Sequence, residues 1–190
     1  MLRRLGADEY DILAVQNNIA KSYQALGRFK EASSIFRDVY SGELKLYGAE
    51  HSETLKSAIN YAASLHNQKC FEEAKSTLRK ILPAAQRVLG ENHEVTLMMR
   101  SLYARALYKD DCATLDDVRE AVTTVEDTAR IARRVLGGAH PLTTEIEGAL
   151  QNAREALHAR ETPSSPSGRV NISFVFKIHH IRSPRPNISR

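Results

Sequence analysis

An internal repeat of about 42 residues limits the possible folds of this chain more than any other feature of its sequence. Four short segments that begin with glycine recur at spacings of 42, 42 and 47 residues, at 6–9, 48–51, 90–93 and 137–140. Three segments that end in Glu-Ala recur in the same register, at 29–32, 71–74 and 118–121. A fixed period of this length is typical of stacked units that each bury an apolar face against the next unit. We therefore expect a repeat architecture.

Each period contains two stretches of helical periodicity. In the first period, apolar residues recur at steps of three and four in two stretches separated by Gly27: Ile12, Val15, Ile19, Tyr23 and Leu26, then Phe29, Ala32, Phe36 and Val39. No alternating strand pattern precedes residue 169. The pattern predicts an all-α fold, a right-handed α-solenoid of stacked antiparallel helix pairs. We expect repeats near 6–47, 48–89 and 90–136 and a partial repeat at 137–159.

Two of the predicted second helices have unusual features. From Leu115 to Leu136 the apolar residues alternate steps of three and four, which fits packing against a neighbouring helix or a short coiled-coil seam. We favour the neighbouring helix because the stripe is short and lacks ordered flanking charges. Pro83 falls inside the second helix of the second repeat. Because proline removes a backbone donor, we expect it to kink or split that helix.

The composition changes close to Glu161. Residues 162–190 contain five basic residues, no acidic residue and four of the six prolines, whereas residues 1–161 contain 22 basic and 23 acidic residues. We expect a solenoid over 1–161 and an irregular, poorly ordered basic tail over 162–190. The alternating apolar residues from Val170 to Ile178 could add a strand to a partner's sheet or cover the last helix. The basic groups could instead attach the tail to an anionic membrane or to nucleic acid.

Composition also restricts the class of protein. No apolar run approaches the roughly 20 residues that a transmembrane helix needs, and the first residues lack the apolar segment of a secretory signal. We therefore expect a cytoplasmic location. The two cysteines, Cys70 and Cys112, are too few for a disulfide framework and are expected to be free thiols.

The repeated segments resemble the 42-residue tetratricopeptide repeats of kinesin light chains. The resemblance rests on Leu-Gly-x-x-His followed by Thr-Leu, on Asn-Asn-Ile-Ala at 17–20 with Tyr23, and on Gly-Arg-Phe-Lys-Glu-Ala at 27–32, and it covers roughly residues 5–158. It implies an adaptor or scaffold that binds a partner peptide in a concave groove. It further implies cargo recognition for microtubule transport and an association with the cytoskeleton.

Two departures limit what this resemblance implies. Residues 2–6 match 132–137, the end of a predicted second helix, so we expect the chain to begin inside a repeat and to be a fragment. Light chains join the motor heavy chain through a heptad segment ahead of the repeats, and nothing here corresponds to it. Direct binding of a kinesin heavy chain is therefore not expected.

The sequence contains no enzyme motif that we can identify. It lacks a glycine-rich phosphate loop, a His-Glu-x-x-His zinc helix and a Gly-x-Ser-x-Gly elbow. His51, His93 and His140 share one repeat position, but adjacent helix layers lie about 8–10 Å apart, too far for a shared metal. We expect these histidines in turns, and we expect no catalytic residue, no cofactor and no metal.

A peptide-binding groove is the preferred hypothesis for function. Tetratricopeptide arrays bind through fixed positions of the first helix of each repeat, and the resemblance carries these positions over by register. The candidate groove residues are Asn17, Lys21, Gln24, Lys56, Ser101, Arg105, Tyr108 and Lys109. Their charges suit an extended peptide with carboxylates, although such residues are also found on ordinary solvated helix faces. The alternatives are a regulatory repeat module of a larger signalling protein and attachment to nucleic acid or a membrane through the tail.

Overall fold

The computed structural model describes residues 9–162, which form seven α-helices in chain order. The helices are α1 Glu9–Ala25, α2 Phe29–Tyr47, α3 Ser52–Asn67, α4 Phe71–Leu89, α5 Glu94–Lys109, α6 Leu115–Val135 and α7 Pro141–Glu161. Within this part of the chain there is no strand, so the all-α prediction is confirmed. The expectations for the start of the chain at 2–6 and for the tail at 163–190 lie outside the described residues.

Each helix packs against the helix that follows it, which produces an α-solenoid. The first helices also contact one another directly, α3 with α5 and α5 with α7, whereas the second helices α2, α4 and α6 do not pair in this way. The first helices therefore line the inner side of the curved stack. The stripe on α6 packs between α5 and α7, which confirms the neighbouring-helix interpretation over the coiled coil.

The core depends on small residues at equivalent positions. The fully buried alanines include six at two equivalent positions, three on first helices and three on second helices: Ala20, Ala62, Ala104, Ala32, Ala74 and Ala121. Large apolar side chains such as Phe36 and Leu97 fill the space around them. Gly42 permits the closest approach, because a Cβ there would lie 2.8 Å from a methyl carbon of Leu13. Small residues at these seams let the helix backbones pack closely.

The turn between the two helices of a repeat uses a left-handed residue. Gly27 has φ 73° between α1 and α2, a conformation that glycine adopts without steric cost. In the second repeat Lys69 occupies the equivalent position with φ 63°, the one non-glycine residue with positive φ in the described chain. The turn is thus kept although the glycine is absent.

Four of the described helices begin with a side-chain cap, which is a histidine in three of them. The three equivalent histidines each accept a hydrogen bond at Nδ1 from the backbone N–H two residues later, at distances of 3.2–3.3 Å in α3, α5 and α7. The prediction that His51, His93 and His140 are turn residues is therefore confirmed. Helix α6 begins with a capping box between Thr114 and Asp117.

Two helices differ from what their sequence pattern suggests. Helix α4 runs without interruption through Pro83, so proline does not split it. The stripe of α1 is not a buried face, since Val15, Ile19 and Leu26 are 41%, 44% and 73% exposed. The reason is position: α1 is the first described helix, and within residues 9–162 it has a helix neighbour on one side only.

Candidate functional site

The candidate residues are carried by the first helices α1, α3 and α5. These helices run in the same direction, because each is separated from the next by one antiparallel partner. Their C-terminal ends consequently lie on one side of the stack, where α1 carries Lys21 and Gln24, and α5 carries Arg105 and Lys109. Lys109 lies in the last turn of α5, where a cation is favourable because the C-terminal end of the helix dipole is negative.

An open cleft of about 440 Å³ lies between α1 and α3. Lys21 and Gln24 line it from α1, and Asn60 and Asn67 line it from α3. Asn60 Nδ2 donates a hydrogen bond of 3.1 Å to Asn17 Oδ1, which joins the two helices beside the cleft. The register argument predicted two of these lining residues, Lys21 and Gln24, but missed the two asparagines of α3, because it followed a different set of positions on that helix.

A second, smaller cleft of about 100 Å³ lies between α3, α5 and α7. Ile59 and Met98 give it apolar walls, and Ser101 and Arg105 line it from α5. The Ser101 hydroxyl is buried and has no hydrogen-bond partner in the structure. Arg105 Nη1 lies 2.7 Å from Glu145 Oε1 of α7, so this guanidinium already has a carboxylate partner. That pairing joins residues from two repeats and does not follow from either repeat alone.

His66 lies at the end of α3 on the same side as Arg105 and Lys109. It is 7% exposed, and its Nε2 is buried with no hydrogen-bond partner. Burial, and then the charges of Arg105 and Lys109, lower the pKa of His66 to about 4. Burial and the neighbouring Arg105 also lower the pKa of Lys109. This part of the groove is therefore positively charged and short of acceptors for that charge.

The structure separates the two remaining candidates from this positive region. Lys56 lies near the start of α3 and pairs with Glu53 of the same helix at 2.8 Å. Tyr108 is only 7% exposed, and burial raises its pKa, so its ring belongs to the helix packing and presents little surface to a ligand. Lys21 and Lys109, in contrast, make no ion pair with any described residue.

The described residues offer no other obvious chemistry. Between residues 9 and 162 no three His, Cys, Asp or Glu side chains lie close enough together to hold a metal ion. Cys70 and Cys112 are exposed free thiols. None of the seven helices has the length and apolar character that crossing a membrane requires.

Comparison with known proteins supports a repeat fold. A family model described as tetratricopeptide repeat matches residues 12–53. Two crystal structures of a protein from Podosopora anserina, described as a kinesin light chain with nearly identical tetratricopeptide-like repeats, are 26% identical to this chain. Each match covers 78% of this chain and 68% of the other chain, and the TM-scores are 0.65 and 0.63. The first of these structures is of a single-substitution variant.

A more distant structure shares the fold alone. BtubC (BKLC) from P. vanneervenii is 13% identical, and the match covers 96% of this chain and 72% of that protein, with a TM-score of 0.53. A search of curated proteins gave no match.

Proposed function

We propose that this chain, whose tetratricopeptide-like repeats resemble those of kinesin light chains, is an adaptor that holds an extended acidic peptide of a partner protein in its groove. Such repeats form protein-interaction modules, and the concave side of a solenoid presents an extended binding surface. Recognition of cargo for microtubule transport is the specific role that the likeness to kinesin light chains favours.

The observation that supports an acidic ligand best is the uncompensated charge at the C-terminal ends of α1 and α5. Lys21 and Lys109 have no ion-pair partner among residues 9–162, and burial, followed by the charge of Arg105, lowers the pKa of Lys109. A ligand carboxylate beside Lys109 would remove this penalty, because an opposite charge favours the charged form. Binding of an acidic peptide would therefore favour the charged form of Lys109 and give Lys21 a partner of opposite charge.

The amides between these cations suit the backbone of the same peptide. Gln24 and Asn67 line the cleft that separates Lys21 from the positive end of α5. Each amide offers both a donor and an acceptor, so it can pair with a backbone N–H or C=O. The peptide would lie across α1, α3 and α5, with carboxylates near the two lysines and its backbone between them.

A pair of synthetic peptides tests this proposal. A fluorescein-labelled 12-residue peptide with four glutamates is compared with the same peptide carrying glutamines, by anisotropy against the full chain. We expect the acidic peptide to bind more tightly. The double variant Lys21→Glu and Lys109→Glu should weaken its binding at least tenfold, about 1.4 kcal/mol, whereas Lys80→Glu on the exposed face of α4 should not.

Neither substituted lysine pairs with a described residue, so the double variant should keep its helicity and melting temperature. An intact variant that binds the acidic peptide as well as the unaltered protein would refute the groove assignment. Affinity purification from cell extract with the same variant then separates the roles: loss of transport motor subunits would support cargo recognition, and loss of signalling enzymes would support the regulatory alternative.

A further inference from the structure

A cleft of about 530 Å³ lies between α6 and α7, on the side of the stack away from α5. Ala129 and Leu150 form its apolar floor. Charged side chains form its rim: Arg133 pairs with Glu147 at 2.5 Å, and Arg154 pairs with Glu126 at 2.7 Å. This cleft is separate from the groove, which lies along the first helices.

In the preceding repeats a second helix occupies the equivalent place. Tyr61 of α3 donates a hydrogen bond to Glu73 of α4, and Tyr103 of α5 donates one of 2.8 Å to Glu120 of α6. In each repeat, the second helix packs on the first helix and contributes the glutamate that accepts a hydrogen bond from the tyrosine. Leu150 stands at the same register position of α7, and no described helix follows α7 to cover it.

The arginines at this cleft distinguish it from the internal seams. Arg130 and Arg134 join Arg133 and Arg154 at its edge, so four guanidinium groups and two glutamates line the cleft. Arg130 also pairs with Asp127 at 3.1 Å, and Arg134 donates a hydrogen bond to Asn92, so Arg134 is the arginine of this rim without a carboxylate partner among the described residues. All four arginines are exposed. The internal seam around Tyr103 has one arginine, Arg79, whose Nη2 lies 2.8 Å from the tyrosine hydroxyl.

The charge of the cleft decides between its possible occupants. Residues 163–190 of this chain follow α7 directly, but they carry five basic residues and no acidic one. Placing that segment among four arginines would bring like charges together, which is unfavourable. A second copy would bring the same four arginines against the first set. A partner helix with carboxylates beside its apolar stripe matches both the apolar floor and the charged rim.

We propose that the α6–α7 cleft is a second docking site, which seats an acidic amphipathic helix of a partner protein at the position that second helices occupy in the preceding repeats. The helix would lay its apolar stripe on Ala129 and Leu150. Its flanking carboxylates would pair with the arginine rim, in bidentate geometry where the guanidinium allows. This mode of recognition is a helix in a groove, distinct from the extended peptide of the inner surface.

The test uses probes built on α2, a second helix of this chain with a buried apolar face. Two labelled peptides carry the sequence Phe29–Tyr47. In the acidic probe the three basic residues become glutamate, and in the basic probe the three acidic residues become lysine: Lys30→Glu, Arg37→Glu and Lys45→Glu, or Glu31→Lys, Asp38→Lys and Glu43→Lys. Binding to the full 190-residue chain is measured by anisotropy.

We expect the acidic probe to bind at least tenfold more tightly than the basic probe. The variant Arg133→Glu with Arg154→Glu should remove this preference, and Leu150→Glu should weaken both probes. Arg87→Glu is the matched control, because Arg87 is equally exposed and pairs with Glu50 on the far side of α4. Circular dichroism and the melting temperature check that each variant is folded. If the double variant Arg133→Glu with Arg154→Glu unfolds, Arg130→Glu replaces it, because the side chain of Arg130 is 74% exposed.

Three results would overturn the proposal. The first is equal binding of the two probes. The second is displacement of the acidic probe by a synthetic peptide of residues 163–190, since the tail would then be the occupant. The third is a dimer in light scattering that Leu150→Glu dissociates, since a second copy would then cover the cleft. Loss of binding in the groove variant Lys21→Glu with Lys109→Glu would place the probe on the other site, so the two proposals fail separately.

Discussion

Replacing His66 by glutamine should change how the stability of the fold depends on pH. His66 is 7% exposed at the end of α3, and burial together with Arg105 and Lys109 lowers its pKa from 6.5 to about 4. In the folded chain the ring is therefore neutral at pH 5, while in the unfolded chain it is largely protonated. His66→Gln keeps a neutral polar group at this position and removes the titration.

The sign and size of the effect follow from linkage. A base whose pKa is lower in the folded state binds fewer protons there, so its contribution to stability is present above pH 6.5 and is lost as the pH falls toward about 4. For this pair of values the loss is about 2 kcal/mol at pH 5 and approaches about 3 kcal/mol near pH 4. A loss of this size is a large part of the free energy of unfolding of a small domain.

The assay is urea unfolding of the two proteins at pH 7 and pH 5, followed by helical circular dichroism. Carboxylates also titrate in this range, and the difference between the two proteins cancels their contribution. We expect the free energy of unfolding of the unaltered protein to fall about 2 kcal/mol more than that of the variant. A difference below about 0.5 kcal/mol would show that His66 is protonated in the fold or is not buried. A proton NMR titration of the ring gives the midpoint independently.

Three other perturbations test the local structure. Lys69→Gly should raise the free energy of unfolding by about 0.5–1 kcal/mol, because glycine adopts the φ of 63° at this turn without strain; a lower urea midpoint would contradict this. His93→Ala removes the cap of α5 and should cost about 1 kcal/mol in the same assay, whereas an unchanged midpoint would show that the cap is not used. Asp110→Ala removes one of the two carboxylates of Lys75, which is 7% exposed, and should cost about 1–3 kcal/mol in urea unfolding. Retention of full stability would mean that Glu72 alone satisfies this ammonium group.

Much of the fold can be predicted from the repeat. The steps of three and four, the break at Gly27 and the equivalent alanines predict helix pairs, and the structure contains them. The sequence also predicts that the three histidines lie in turns, because each of them precedes an apolar stripe and can therefore cap the helix that the stripe forms. These features are local or recur in register, so one repeat predicts the next.

The candidate site was less predictable. Register places Lys21 and Arg105 on the inner surface, but it does not reveal that Glu145 neutralises Arg105 from the following repeat. It also does not predict the hydrogen bond from Asn60 to Asn17, which crosses from α3 to α1. Such contacts depend on side-chain rotamers and on the angle between stacked helices, neither of which is a property of the period.

The contrast follows from the range of the interactions. Contacts between residues three or four apart, together with a repeated register, determine where the helices and turns lie and how inner and outer helices alternate. The order of residues is therefore sufficient to predict these features. Burial is decided by neighbours. Val15 and Leu26 continue an apolar stripe like those of other helices, yet they are exposed because, among the described residues, α1 has neighbouring helices on one side only. The depressed pKa of His66 likewise arises only where α3 and α5 bring it against Arg105 and Lys109.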